Sequence, residues 1–210
     1  MSGQNEAPGA GGESGSEAPA QPGGAGGRRR SLLWELLDWL KYIAIAIVMG
    51  LLLTHFVVQR NEIVGVSMYP TLHNADQVIT QKLSRYWDGL SYGDIVTVHG
   101  SKVPGAKGTL NEDIVKRLIG RPGDRIEIKD GQVWRNGTAV AEDYLPAGLV
   151  TDPLNPEWSD VTLGADEYYV LGDNRPQSRD SRDFGPVPRA AFSGEVWIRI
   201  WPWASRGHID

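Results

Sequence analysis

Arg125-Ile126-Glu127-Ile128-Lys129-Asp130-Gly131-Gln132-Val133-Trp134-Arg135-Asn136-Gly137 decides the fold class. Ile126 and Ile128 alternate with charged neighbours, the period of a strand with one buried face. Asp130-Gly131 and Asn136-Gly137 are both two-residue hairpin signals, because such turns need positive φ at both central positions. Strand signals continue outward from here. Gln77 to Thr80 and Asp94 to His99 are short and β-branched, and Ile114 to Ile119 is an apolar run. Tyr168 to Leu171 and Glu195 to Trp201 complete the series. No helical period of useful length follows Arg60. The expected fold is mainly β: an antiparallel β-sheet domain with a hairpin-rich subdomain around residues 125 to 165.

The chain before Arg60 is built differently. Residues 1 to 27 hold nine Gly, five Ala and three Pro, with no aromatic residue. Such a segment cannot bury enough apolar surface to offset its chain entropy, so a disordered tail is expected. Arg28, Arg29 and Arg30 follow. From Ile43 to Val58 run sixteen residues without a formal charge; as a helix they span ~24 Å, somewhat short of a ~30 Å hydrocarbon core. Leu32 to Lys41 extends the run. There Glu35, Asp38 and Lys41 recur at every third position and share one face, while Leu and Trp cover the rest. This is an amphipathic lead-in, with Trp at the interface, to a transmembrane helix.

Three segments are thus expected: a cytoplasmic tail with a basic end (1–30), an amphipathic lead-in and single transmembrane helix (31–60), and a folded domain (61–210). The arginine cluster predicts a cytoplasmic N-terminus and an outer location for residues after Arg60. A buried helix of a soluble protein is disfavoured by the near-spanning apolar run beside that cluster. A cleaved secretory signal is disfavoured too: Thr54-His55-Phe56-Val57-Val58-Gln59-Arg60 lacks small residues at alternate positions.

Composition excludes several chemistries. Residues 61 to 210 carry 16 Lys+Arg against 21 Asp+Glu, which argues against nucleic-acid binding. There is no Cys, hence no disulfide framework and no thiolate nucleophile. Four His residues do not suggest a histidine-rich metal centre. No metal or organic cofactor is expected.

A hydrolytic site would then draw on Ser, Lys or carboxylates. Three segments stand out: Gly65 to Leu72, Val115 to Asp124, and Gly172 to Gly185. Lys116 sits in an apolar strand-like run. An ordinary lysine, with a pKa near ~10.4, is a poor base at neutral pH. Burial disfavours the ammonium, and a desolvated lysine can accept a proton from a serine hydroxyl. The plain alternative is a strand lysine whose amine reaches solvent. Ser67, taken alone, reads as a turn residue.

Together the three segments resemble the bacterial type I signal peptidases (leader peptidases), membrane-anchored Ser/Lys serine proteases. The serine motif Ser-Met-x-Pro-Thr-Leu is matched at Ser67 to Leu72. The lysine motif is matched by Lys116 to Gly120 with Pro122-Gly123-Asp124. The third is matched by Gly172-Asp173-Asn174-Arg175, Ser178, Asp180, Ser181, Arg182 and Gly185. Gly93 to Val96 resembles a shorter motif between the first two. The resemblance covers roughly residues 31 to 205.

It implies roles. Ser67 would be the nucleophile and Lys116 the general base. Ser178 would hydrogen-bond and orient the Lys116 amine, and Asp180 with Arg182 would form a supporting ion pair. The Ser67 backbone N–H would be one oxyanion donor. The substrates implied are signal peptides of exported preproteins, cut after small residues at −1 and −3 on the outer face of the plasma membrane. Two departures are visible. Gly65 stands where some members place a serine that helps the oxyanion hole, and Pro176-Gln177 replaces the commoner Asp-Asn pair.

Ser67 lies seven residues beyond Arg60, at most ~25 Å of extended chain, which keeps the nucleophile close to the bilayer. From their motif neighbours, Ile63, Leu72, Ile114 and Val115 are candidate walls of the substrate pockets. Trp201 and Trp203 are candidates for contact with membrane lipid; Trp197 reads as core. Three other readings remain. A self-cleaving Ser/Lys repressor is disfavoured, since the anchor stands where its DNA-binding domain would be. A Ser/His hydrolase would use His73 or His99. A membrane-anchored non-catalytic β module is the reading from another class. Oligomeric state is not legible.

Overall fold

The computed structural model describes residues 32–85, 89–106, 108 and 110–209. The expected disordered tail and the Arg28–Arg30 cluster lie outside the described residues.

Helix α1 (Leu32–Phe56) has 25 residues, ~37 Å at 1.5 Å per residue and long enough to cross a bilayer. Large apolar side chains from Leu32 to Leu53 are exposed along it, whereas a soluble core helix would bury a stripe. The helix stops four residues before the expected boundary at Arg60. The Val57 N–H closes onto the Leu53 carbonyl at 2.9 Å, and Val58 already opens a strand.

The remainder is mainly antiparallel β, as the alternating pattern predicts. The strands are β1 (Val58–Glu62), β2 (Gln77–Gln81), β3 (Ile95–His99), β4 (Asp113–Gly120), β5 (Arg125–Lys129), β6 (Gln132–Arg135), β7 (Thr138–Ala139), β8 (Asp160–Thr162), β9 (Glu167–Leu171), β10 (Val187–Pro188), β11 (Phe192–Trp201) and β12 (Gly207–His208). Among the described residues the larger sheet runs β1-β2-β11-β3-β4-β9-β10, with β12 added to β11. The smaller runs β7-β6-β5-β8 and is the hairpin-rich subdomain. Its two tight turns have the expected chemistry. Asp130 and Gly131 have φ of 55° and 73°, Asn136 and Gly137 of 53° and 80°, the left-handed values such turns require.

Three apolar clusters hold these layers. Val96, Val98, Leu118, Tyr168, Val170 and Phe192 anchor one face of the large sheet. Ile119, Ile126, Val133, Tyr169 and Leu171 join it to the small sheet. Ile63, Met68, Leu72, Val78, Ile95 and Val196 fill a third cluster beneath the turn that carries Ser67. One short helix, α2 (Ser181–Phe184), too short to show a helical period, interrupts the strands after β9. Asp180 caps its start by accepting the Arg182 N–H, and Gly185 ends it at φ 83°.

Candidate active site

Ser67 lies in an irregular turn between β1 and β2, and Lys116 is the fourth residue of β4. Their sequence separation is bridged by the sheet: β1 pairs β2, β2 pairs β11, β11 pairs β3, and Val96 of β3 sits opposite Lys116. Lys116 Nζ comes within 2.7 Å of Ser67 Oγ and donates to the Val115 carbonyl at 3.0 Å. The lysine is 3% exposed. Burial pushes its amine down to about 8, against the opposing pull of the Asp180 and Asp173 carboxylates. This is therefore not a lysine whose amine reaches solvent.

The Ser67 turn is clamped by the segment that follows β9. The Asn174 backbone N–H donates to the Ser67 carbonyl at 3.0 Å, and Asn174 Nδ2 to the Val66 carbonyl at 3.1 Å. Thr71, in the same turn, donates its hydroxyl to Asp173 Oδ2 at 2.6 Å. Gly172 fits beneath the turn because it has no side chain. A Cβ there would overlap Ser178 Oγ and the Ser67 carbonyl oxygen. Gly65 has φ 99°, a conformation that suits glycine, and its N–H donates to Asn74 Oδ1 at 2.9 Å. Among the described residues no hydrogen-bond acceptor meets the Ser67 N–H.

Two buried arginine–carboxylate pairs brace this loop. Arg182 grips Asp180 with Nε and Nη2, both at 2.9 Å, and Nη2 also donates to the Arg175 carbonyl at 2.7 Å. Asp180 Oδ2 in turn accepts the Gly172 N–H at 3.1 Å. Arg117, next to the lysine on β4, grips Asp173 at 3.0 and 2.8 Å and reaches the Gly93 carbonyl at 2.8 Å. Both pairs keep their remaining polar atoms bonded, the condition for tolerating buried charge.

Ser178 packs against Gly172 beneath the Ser67 turn. Its Oγ is buried and has no hydrogen-bond partner among the described residues; the Lys116 amine bonds Ser67 and Val115 instead. An ammonium has three donors, so one donor of Lys116 remains unassigned among the described residues.

The pocket candidates separate into two groups. Ile63 and Leu72 are buried in the cluster beneath the Ser67 turn, where Val115 packs against them. Ile114 packs on the cluster of the large sheet's other members, as expected of consecutive strand residues that face opposite ways. Leu72 has no exposed surface and backs the site from behind. Neither rival histidine bonds the serine. His73 stacks edge-on with Tyr69 at 5.2 Å, and His99 Nδ1 pairs with Asp113 Oδ1 at 2.7 Å. Trp197 is about half exposed, like Trp201, contrary to its reading as core.

Sequence reasoning passed over Arg117, Asp173, Asn174, Arg175 and Thr71 as individuals, although all lie inside the quoted motifs. Glu142 and Tyr144 it did not single out, since they sit in a stretch without periodicity. Arg175 holds Glu142 at 3.1 and 2.6 Å, bonds Thr151, and donates Nε to the Gly172 carbonyl at 3.0 Å.

Residues 36–201 match the family described as signal peptidase, peptidase S26. The signal peptidase I of Leptolyngbya laminosa is 34% identical over 185 residues, covering 88% of this chain and 87% of that protein. Signal peptidase I S of Bacillus subtilis (strain 168) is 38% identical over 175 residues, covering 80% and 90%. The crystal structure of a signal peptidase I from Enterococcus faecalis V583 shares 28% identity at a TM-score of 0.42, covering 51% of this chain and 96% of that one.

Proposed function

This chain belongs to the signal peptidase family, peptidase S26, and we propose that it removes signal peptides from exported preproteins, with Ser67 as nucleophile and Lys116 as general base. The observation that carries this reading is the 2.7 Å approach of Lys116 Nζ to Ser67 Oγ within a buried setting.

The proposed steps are those open to a buried serine–lysine pair. The neutral amine takes the Ser67 hydroxyl proton as Oγ attacks the scissile carbonyl. Negative charge develops on the carbonyl oxygen, and the unengaged Ser67 N–H donates to it. The resulting Lys116 ammonium gives its proton to the leaving amine, which departs with the mature protein. The signal peptide remains as an ester on Ser67. Lys116 then deprotonates a water, whose attack frees the carboxylate and restores the serine. Asp180 and Arg182 hold the Gly172 to Ser178 loop in place, and the Ser178 hydroxyl, unpartnered among the described residues, is the group proposed to meet the amine's third donor during turnover. Ile63 and Val115 wall the shallow subsites for small side chains.

Helix α1 anchors the enzyme in the plasma membrane in a single pass, with the N-terminus cytoplasmic and residues 61–210 outside. Trp201 and Trp203 meet edge-on at 6.4 Å, and Arg206 lies 5.3 Å from the Trp203 ring. Such exposed indoles with a cation suit a lipid headgroup layer.

The test is cleavage of a peptide bearing an Ala-x-Ala site in detergent micelles, with wild type beside Ser67→Ala and Lys116→Ala. Cleavage after the second Ala, lost in both variants and unaffected by chelators, is expected. A folded wild type that cuts no signal peptide would identify the chain as a non-catalytic anchored module.

A further inference from the structure

Two buried arginines of the lysine and third motifs, Arg117 and Arg175, share a cover that no motif contains. The Tyr144 ring lies 3.9 Å from the Arg117 guanidinium carbon. Tyr144 Oη donates to Glu142 Oε1 at 2.7 Å, and Glu142 in turn receives both Nη groups of Arg175, at 3.1 and 2.6 Å. Burial and the adjacent Glu142 carboxylate hold the Tyr144 phenol well above its ordinary range, so it stays a neutral donor. Arg117 and Arg175 are both almost wholly buried. Residues 142 to 144 belong to the irregular segment between β7 and β8 of the small sheet, remote in sequence from both motif arginines.

We infer that Glu142 and Tyr144 form a positioning strut for the Ser67–Lys116 dyad, acting through Arg117 and Arg175. The inference rests on the dyad reading above. The charged groups acting on the Lys116 amine are Asp180 and Asp173. Asp180 is neutralised by Arg182 and Asp173 by Arg117. The Tyr144 ring seals the Arg117 guanidinium from water and keeps it on Asp173. Arg175, held by Glu142, fixes the Gly172 carbonyl, and Gly172 is the floor on which the Ser67 carbonyl and Ser178 rest. Removing the ring loosens Arg117, leaves Asp173 less compensated and admits water. All three changes favour the ammonium and move Lys116 back toward its ordinary range.

The strut is tested by kcat and KM across pH 6 to 10 for the full chain in micelles, with wild type and Ser67→Ala as references. Tyr144→Leu is expected to move the rising limb of the profile up by about half a pH unit or more, and to lower kcat at pH 8 roughly tenfold with KM within about twofold. Tyr144→Phe keeps the ring and is expected to restore the wild-type midpoint. Glu142→Gln is expected to lower kcat at least about threefold at unchanged KM. Wild-type kcat and midpoint in folded Tyr144→Leu and Glu142→Gln overturn the strut. Should Tyr144→Leu fail to fold, Glu142→Gln decides alone, and an unchanged kcat there overturns it. Cleavage surviving Ser67→Ala would instead overturn the dyad itself, and is distinguished by that control.

Discussion

The Asn174 backbone N–H is bonded to the Ser67 carbonyl oxygen at 3.0 Å. Main chain from the third motif thus holds main chain from the first, and side-chain substitution cannot delete that link. Packing around it can still be disturbed. Gly172→Ala would put a methyl group where Ser178 Oγ and the Ser67 carbonyl now sit. A displacement of about 1 Å is expected to cost on the order of a hundredfold in kcat/KM. Steady-state kinetics on a signal peptide measure it; wild-type kinetics would show that the loop yields freely.

The rate should depend on the charge of Lys116. Its amine is pushed down to about 8 by burial, and only the neutral form accepts the serine proton. kcat/KM is therefore expected to rise through pH 8 and to fall about tenfold per unit well below it. A midpoint near the ordinary lysine value would mean the amine is solvated during turnover.

Stability should move the opposite way on removing that amine. A lysine whose folded pKa lies below its unfolded 10.5 binds fewer protons when folded. It therefore opposes folding fully below about pH 8, and that penalty fades as pH rises from 8 to 10.5. Lys116→Met is expected to stabilise the protein at pH 7 by up to roughly 3 kcal/mol, with the gain gone above pH 10.5. Urea titrations at pH 7 and pH 10 test the sign.

Arg182 and Asp180 are both buried and bidentate. Arg182→Met strands a buried carboxylate and is expected to cost about 3–5 kcal/mol. The double variant Asp180→Leu/Arg182→Met should recover part of that loss, a comparison that separates charge from packing. Equal losses in the single and double variants would assign the cost to packing alone.

Leu72 and Val115 should part company. Leu72→Ala empties a fully enclosed site and is expected to cost about 2–5 kcal/mol. Val115→Ala, half-buried at the same cluster, is expected to widen tolerance at −1 or −3. Cleavage of a peptide series varying those residues reads it out, and an unchanged preference removes Val115 from the pocket wall.

The fold was legible where local chemistry is strict. Asp130-Gly131 and Asn136-Gly137 admit few other conformations, so the small sheet followed from its turns. β1 was not legible, because Val58 continues an apolar run and its polar residues Gln59, Arg60 and Asn61 show their purpose only once Thr80 and Ile79 lie opposite. α2 escaped for a similar reason: four residues are too few to show a period, and only the Asp180 cap and Gly185 mark its ends. In the site, the motifs supplied Ser67 and Lys116. The pairing of Arg117 with Asp173 depends on β4 lying beside β9, a long-range register that no local spacing encodes. Glu142 and Tyr144 are more hidden still, since nothing in their own segment requires them.

A single residue, Val57, separates the end of α1 at Phe56 from the start of β1 at Val58. There is no slack leash between them. β1 is a hydrogen-bonded strand of five residues, and at ~3.3 Å per residue its length is fixed at roughly 16 Å. On the proposed anchoring of α1 in a bilayer, this strand is the chain that leads from the helix end to the serine turn. On that anchoring, reach above the membrane is expected to limit which scissile bonds meet Ser67, alongside side-chain size. Lengthening β1 by two residues would preserve its alternation, extend that reach, and is expected to shift selection toward substrates whose cut site stands farther from the apolar core.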